Sequence, residues 1–224
     1  MTRPAILRSS VGTEGEPVVV IDGFAPDPDQ LRRAASAARF HAAGHHYPGQ
    51  RAALPETYLA AQLPVIARGL GRSFGSVRRI RIIDASFSMV TSQPADLSDG
   101  QRVPHVDGHG ADRIALVHYL STGDRDGTAF FRHRSTGFET VREERAGSYR
   151  ERLDAEMDAR PPAPAYITGD TDLFERIALI DAAYNRALLY RSCLLHSGAI
   201  SAGASLSPDP MVGRLTVTAF LAIE

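Results

Sequence analysis

His105-Val106-Asp107 sets an imidazole and a carboxylate two positions apart. On a strand, or on extended chain leaving one, residues i and i+2 point the same way, so the two groups converge. Taken singly the pair is weak evidence, because a hydrogen-bonded His–Asp pair on a loop explains it equally well. His196 is the second chemical residue. It follows the apolar Leu194-Leu195 and precedes Ser197-Gly198, the pattern of a strand end from which a ligand emerges; a satisfied core histidine is the plainer alternative. The third is Arg214 in Gly213-Arg214-Leu215-Thr216. An arginine on the inward face of a strand is costly to bury unless it meets an anion. Its planar fork matches a carboxylate, and Thr216 offers a hydroxyl on the same face. An edge-strand arginine facing water is the competing reading. Two imidazoles and one carboxylate on one side of Fe(II) leave three coordination positions open. The chemistry suggested is therefore that of an oxygen-activating iron with an anion site beyond it.

These groups need elements to hold them. Residues 17–21 (Pro-Val-Val-Val-Ile) read as a short buried strand ended by Asp22-Gly23. A helix is expected over 28–39, capped by Asp27 and opened by Pro28, with Leu31, Ala34, Ala35 and Ala38 as its apolar stripe. A second runs from Pro55 to Leu70, with Leu59, Leu63, Ile66 and Leu70 on one face. Pro64 is expected to kink or divide it and Gly71 to stop it. From Arg78 the period changes to two. Residues 78–90, 113–121, 128–132, 186–193 and 212–223 read as strands. In the last, Leu215, Val217, Ala219, Leu221 and Ile223 share one face, and Arg214, Thr216 and Thr218 share the other. Such a strand suggests a sheet with helices outside and a polar pocket inside. Helices first and strands afterwards indicate an α+β, mainly β fold in one domain. Within it, 1–77 supply supporting elements and 78–224 the core. Residues 138–170, rich in charge and then in proline, read as an insertion that covers a pocket.

Composition narrows the partners. The formal net charge is −1, and all 25 basic residues are arginines scattered along the chain. Without a basic surplus, nucleic acid is not expected as a partner. Cys193 is the only cysteine, which excludes an internal disulfide and a Cys-based metal cage; its apolar flanks suggest a buried thiol. Residues 1–15 lack the apolar core of a signal peptide, and no apolar run approaches the ~20 residues that span a bilayer. The expectation is a cytoplasmic protein acting on a small molecule, with its oligomeric state left open.

With these motifs the sequence resembles the Fe(II)/2-oxoglutarate-dependent oxygenase superfamily, in particular its prolyl 4-hydroxylase-like branch. Besides His105-Val106-Asp107, His196 and Arg214-Leu215-Thr216, the resemblance rests on Val117-His118-Tyr119-Leu120-Ser121 and Asp126-Gly127-Thr128-Ala129-Phe130. The opening Val19-Val20-Ile21-Asp22-Gly23-Phe24 is similar to the strand-to-helix start of these enzymes. Ser121 stands where the branch has Asn, and Asp126-Gly127 where it has Gly-Gly. The gap from Asp107 to His196 is long for the branch. The resemblance implies a double-stranded β-helix (jelly roll) core with Fe(II) on His105, Asp107 and His196. It implies 2-oxoglutarate chelating the iron, its far carboxylate held by Arg214 with Thr216 and Tyr119, and dioxygen in the remaining position. The implied reaction oxidises a substrate C–H bond, by hydroxylation or else by desaturation or cyclisation, with release of succinate and CO₂. An amino acid or biosynthetic intermediate would suit a chain of this size.

Further residues are candidates for the substrate. His133 with Arg134 forms a basic strand end that either recognises a substrate carboxylate or faces water. Arg186 and Tyr190, at alternate positions before His196, would point inward. His41, His45 and His46 mimic a metal cluster but lack a fourth partner. His109 is expected to face solvent or substrate, and His118 to face packing. Tyr47-Pro48-Gly49-Gln50-Arg51 and Phe131-Arg132-His133-Arg134 read as subfamily signatures without an assigned role. Three other classes compete: a cupin-like metalloenzyme without 2-oxoglutarate, a hydroxylase of protein side chains, and a non-catalytic jelly-roll binding module. Arg214 with Thr216 weighs against the first, and the complete triad against the last.

Overall fold

The computed structural model describes residues 3–44, 47–122 and 126–224. In chain order the elements begin with β1 (Ala5–Val11), β2 (Glu16–Asp22), α1 (Pro28–Ala37), β3 (His41–Ala42), β4 (Gly49–Ala52) and α2 (Tyr58–Leu70). Then come β5 (Ile80–Val90), β6 (Arg113–Tyr119), β7 (Thr128–His133), α3 (Glu143–Ala159), β8 (Phe174–Ile180), β9 (Arg186–Arg191), β10 (His196–Gly198) and β11 (Arg214–Ile223). Among the described residues the strands form an eight-stranded sheet, in the order β1-β2-β9-β6-β11-β5-β4-β3, and a three-stranded sheet, β10-β7-β8. All pairings are antiparallel.

Alternation along the strands sorts side chains into layers. On the outer face of the larger sheet, Val19, Ile21, Phe87, Met89, Leu189 and Leu215 belong to one buried cluster with Leu31 and Ala35 of α1 and Leu59, Ile66 and Leu70 of α2. On the inner face, Val18, Val20, Leu188 and Tyr190 pack with Phe130 of β7 and Ile180 of β8. A third cluster joins Ala129, Phe131 and Phe174 of the small sheet to Tyr149 and Leu153 of α3. Each such aliphatic or aromatic side chain contributes about 1.5–3 kcal/mol by burial. The polar residues of β11 are left facing inward, between the sheets.

The helices follow local signals with two departures. Asp27 caps α1, its carboxylate accepting from the Gln30 N–H at 2.9 Å, with Pro28 in the first turn. Pro64 does not divide α2, which is continuous from Tyr58 to Leu70. Pro64 and Ala60, whose carbonyl it leaves without a helical partner, both lie on the exposed side, so the lost bond does not leave that oxygen in the core. The charged segment after β7 is mostly the helix α3 rather than loop. The strand expected to reach Cys193 ends at Arg191, and a turn through Ser192 and the buried Cys193 leads to β10. Among the described residues, no helix is long and apolar enough to cross a membrane.

Candidate metal centre

Backbone pairing brings the first two motifs together. The His105 N–H donates to the His196 carbonyl at 2.9 Å, and the His196 N–H returns to the His105 carbonyl at 3.0 Å. Two residues on, the Asp107 N–H donates to the Ser192 carbonyl at 2.9 Å. The extended His-X-Asp segment is thereby stitched to the chain that carries the distant histidine, and period-2 geometry turns both its side chains the same way.

The side chains converge accordingly. Asp107 Oδ2 lies 3.2 Å from His196 Nε2, and Asp107 Oδ1 lies 3.7 Å from His105 Nε2. One ligand atom from each of the three falls within 4.8 Å of the others. His196 is almost fully buried, and its Nδ1 sits 2.8 Å from the Leu194 carbonyl. That oxygen can only accept, so Nδ1 carries a proton and Nε2, turned toward Asp107, is the nitrogen that would bind a metal. The Tyr190 ring meets His196 edge-on, with centroids 4.8 Å apart, and fixes the imidazole from the other side. Burial pushes the Asp107 carboxyl up, but the charges of His196, His105 and Arg113, with a hydrogen bond to His196, hold it below its usual range. For His196 burial pushes down, while Asp107 and the Leu194 carbonyl outweigh it and hold the imidazole high. The donor set is thus an ionised carboxylate with two imidazoles, the set that suits Fe(II).

The centre opens into a cavity of about 880 Å³ that Arg214 and Thr216 also line. Arg214 leans on the other sheet, its Nε donating to the Asp126 carbonyl at 2.8 Å and one Nη to the Gly127 carbonyl at 3.2 Å. Among the described residues no carboxylate pairs with it, so its charge is available to a ligand. Ser121 fixes the start of its strand, its hydroxyl accepting from the Leu215 N–H at 2.8 Å.

The remaining candidates divide. Tyr190 lines the cavity. Tyr119 lies beneath Arg214, whose guanidinium carbon is 5.8 Å from its ring centre. Its hydroxyl is taken by Thr128 at 2.7 Å, and it is not part of the cavity wall. His133, Arg134 and Arg186 do not line the cavity. His133 is fully buried and points to α3, with Nε2 at 2.9 Å from Glu156 and Nδ1 at 2.9 Å from Thr136. It shares the side of β7 that carries Ala129 and Phe131, whereas Thr128 and Phe130 face the larger sheet. Arg134 bonds the Thr171 carbonyl and Asp170, and Arg186 forks onto Asp22 at 2.7 and 3.1 Å. Of the histidine cluster, His41 is exposed on an edge strand, and His45 and His46 lie outside the described residues. His109 lines the cavity and bonds the Val141 carbonyl at 2.8 Å.

Sequence reading assigned no role to the residues of three walls, although it expected residues 138–170 to cover a pocket. Tyr47 and Arg51, from the chain leading into and along β4, line the cavity beside Arg214, and Tyr166 joins them with its hydroxyl on the Ser92 carbonyl at 2.8 Å. Helix α3 contributes Tyr149, Leu153 and Met157. The signals were the segment Tyr47–Arg51 itself and the charged, proline-rich stretch 138–170 that carries α3 and Tyr166. Its Gly49 lets β4 come close, since a Cβ there would collide with the Met89 carbonyl.

A model described as a family of unknown function, DUF6445, matches residues 2–221. The chain belongs to the DUF6445 family. Among curated proteins none matches this DUF6445 chain in sequence. Among solved structures it is similar to HygX from Streptomyces hygroscopicus with nickel and 2-oxoglutarate bound, at a TM-score of 0.50 and 13% identity, covering 92% of this chain and 82% of that one. The non-heme alpha-ketoglutarate-dependent epimerase SnoN from nogalamycin biosynthesis gives 0.48 and 11%, covering 92% and 78%. AviO1 from Streptomyces viridochromogenes Tue57 gives 0.44 and 9%, covering 96% and 90%. The HygX likeness shows a shared fold between that protein and this DUF6445 chain.

Proposed function

We propose that this chain is a non-haem Fe(II)- and 2-oxoglutarate-dependent oxygenase that oxidises a C–H bond of a small molecule, on a double-stranded β-helix core of the prolyl 4-hydroxylase-like kind. The single observation that carries this reading is the meeting of His105, Asp107 and His196 at the floor of a cavity that also exposes an arginine with no carboxylate partner among the described residues. A metal and an organic dianion would each find complementary charge in the same space. The fold shared with a protein solved with 2-oxoglutarate bound supports the choice of that dianion.

His105, Asp107 and His196 would hold Fe(II), and the iron with 2-oxoglutarate and dioxygen would supply the oxidising chemistry. The chain's own residues prepare the place for it. The Leu194 carbonyl fixes the His196 tautomer, and the charges around Asp107 keep it ionised and ready to bind. Arg214 and Thr216 would orient the cosubstrate by its far carboxylate. Tyr190 and the apolar side chains of α3 keep water from the centre. A cavity of about 880 Å³ lies within the range usual for small-molecule sites, which favours such a substrate over a protein side chain.

The deciding test is anaerobic titration with Fe(II) and then 2-oxoglutarate, followed by visible absorbance. A metal-to-ligand charge-transfer band is the expected result, and it should vanish in His105→Ala, Asp107→Ala and His196→Ala. If the wild type binds iron but gives no band, the cupin-like reading replaces this one. Succinate release screened against amino acids and biosynthetic intermediates would then identify the substrate.

A further inference from the structure

Tyr47 belongs to a segment that the proposed chemistry has not used. Strand β4 joins the larger sheet beside β5, with Arg51 in register with Ser88, and Ser88 in turn with Thr216 on β11. Residues paired across neighbouring strands share a face, so this row runs along the inner wall toward Arg214. Tyr47 is half-buried, and among the described residues its buried hydroxyl meets no partner in full hydrogen-bond geometry. Thr216 and Ser88 approach that hydroxyl, and Arg214 and Arg51 surround it with positive charge. The Arg51 guanidinium carbon lies 4.9 Å from the Tyr47 ring centre, which holds the ring in place. A buried hydroxyl without a partner is costly. Its neighbours, two cations and two hydroxyls, mark the missing partner as an anion. Tyr119, the tyrosine that the motif resemblance puts in this role, pairs with Thr216 on the same inner face, but its hydroxyl is engaged by Thr128 and it does not line the cavity.

We propose that the hydroxyl donating to the far carboxylate of 2-oxoglutarate, beside Arg214 and Thr216, is that of Tyr47 and not that of Tyr119. The inference rests on the reading of this cavity as a 2-oxoglutarate site. Burial keeps the phenol of Tyr47 protonated and able to donate. Tyr119 keeps a structural part, its ring face supporting the Arg214 guanidinium.

The test is calorimetric binding to the Fe(II)-loaded protein without oxygen, using 2-oxoglutarate and pyruvate. Pyruvate carries the same metal-chelating keto acid but no second carboxylate. Tyr47→Phe removes one oxygen and keeps the ring. It should weaken 2-oxoglutarate by about 10-fold or more, the loss expected for a hydrogen bond to a charged group, with pyruvate affinity unchanged. Tyr119→Phe should shift 2-oxoglutarate much less. Wild-type affinity for 2-oxoglutarate in Tyr47→Phe would overturn the assignment, as would equal weakening of pyruvate or a larger effect of Tyr119→Phe. A wild type that binds iron but no 2-oxoglutarate overturns this assignment and the functional reading together, which separates the two failures.

Discussion

Arg214 shows how one residue can be legible in sequence while its neighbour is not. Alternation in Arg214-Leu215-Thr216-Val217-Thr218 separates a polar face from an apolar one, and strands obey that period whatever they pair with. His105 and Asp107 are readable for the same reason. Tyr47 and Arg51 depend instead on which strand β4 joins, and nothing local specifies a pairing partner. His133 fails differently: its arginine flanks suggest a solvated strand end, yet it lies on the side of the small sheet that α3 covers. Arg214 also carries a prediction. Arg214→Ala should raise the 2-oxoglutarate requirement by ~2–5 kcal/mol, the usual cost of truncating one partner of a buried charge pair. Arg214→Lys should recover only part, since a point charge cannot reproduce the planar fork. The apparent KM for 2-oxoglutarate in a succinate-release assay measures both, and unaltered dependence in the alanine variant would remove the clamp.

At the scale of elements, strongly patterned segments declare themselves and weakly patterned ones do not. Helix α3 buries only Tyr149 and Leu153, so its 17 residues show charge but no apolar stripe. Strand β1 is an edge with four of its seven positions exposed, and lacks the greasy run that reveals β2. The join between α2 and the larger sheet includes, beside its apolar cluster, a buried polar contact that no periodicity could announce. His118, fully buried on β6, takes its Nδ1 to the Tyr58 hydroxyl at 2.7 Å and its Nε2 to Asn185 Oδ1 at 3.0 Å. Asn185 Oδ1 also accepts from the Ala25 N–H, so Nε2 must donate and Nδ1 must accept from Tyr58. That arrangement serves only the neutral ring, and burial pushes its pKa down from 6.5 to about 4. The unfolded chain therefore binds a proton at a pH where the folded one does not. Stability is intact above pH 6.5 and falls as the pH drops toward 4, by about 3 kcal/mol in all if this histidine acts alone. His118→Gln cannot titrate. It should be less stable at neutral pH, with a flatter loss between pH 6.5 and 4 in urea denaturation. A slope equal to that of the wild type would assign the acid sensitivity elsewhere.

For the whole molecule, the cavity is a joint product of parts distant in sequence: the β4 segment, the inner strands and α3 close around one centre. Gly147 marks where closure and stability pull apart. It sits within α3, where glycine costs about 0.5–1 kcal/mol relative to alanine. A Cβ at this position would meet nothing within 4 Å, so packing does not demand glycine there. Gly147 is exposed and lines the cavity, which gives a glycine there a functional reason: room for the substrate. Gly147→Ala should raise helix stability by about 0.5–1 kcal/mol, seen as a higher melting temperature. Gly147→Phe should leave iron and 2-oxoglutarate binding intact, because the metal and the clamp lie deeper, while substrate-dependent succinate release falls sharply. Loss of the charge-transfer band in Gly147→Phe would mean that α3 supports the centre itself, and full turnover would mean that the substrate enters by another side.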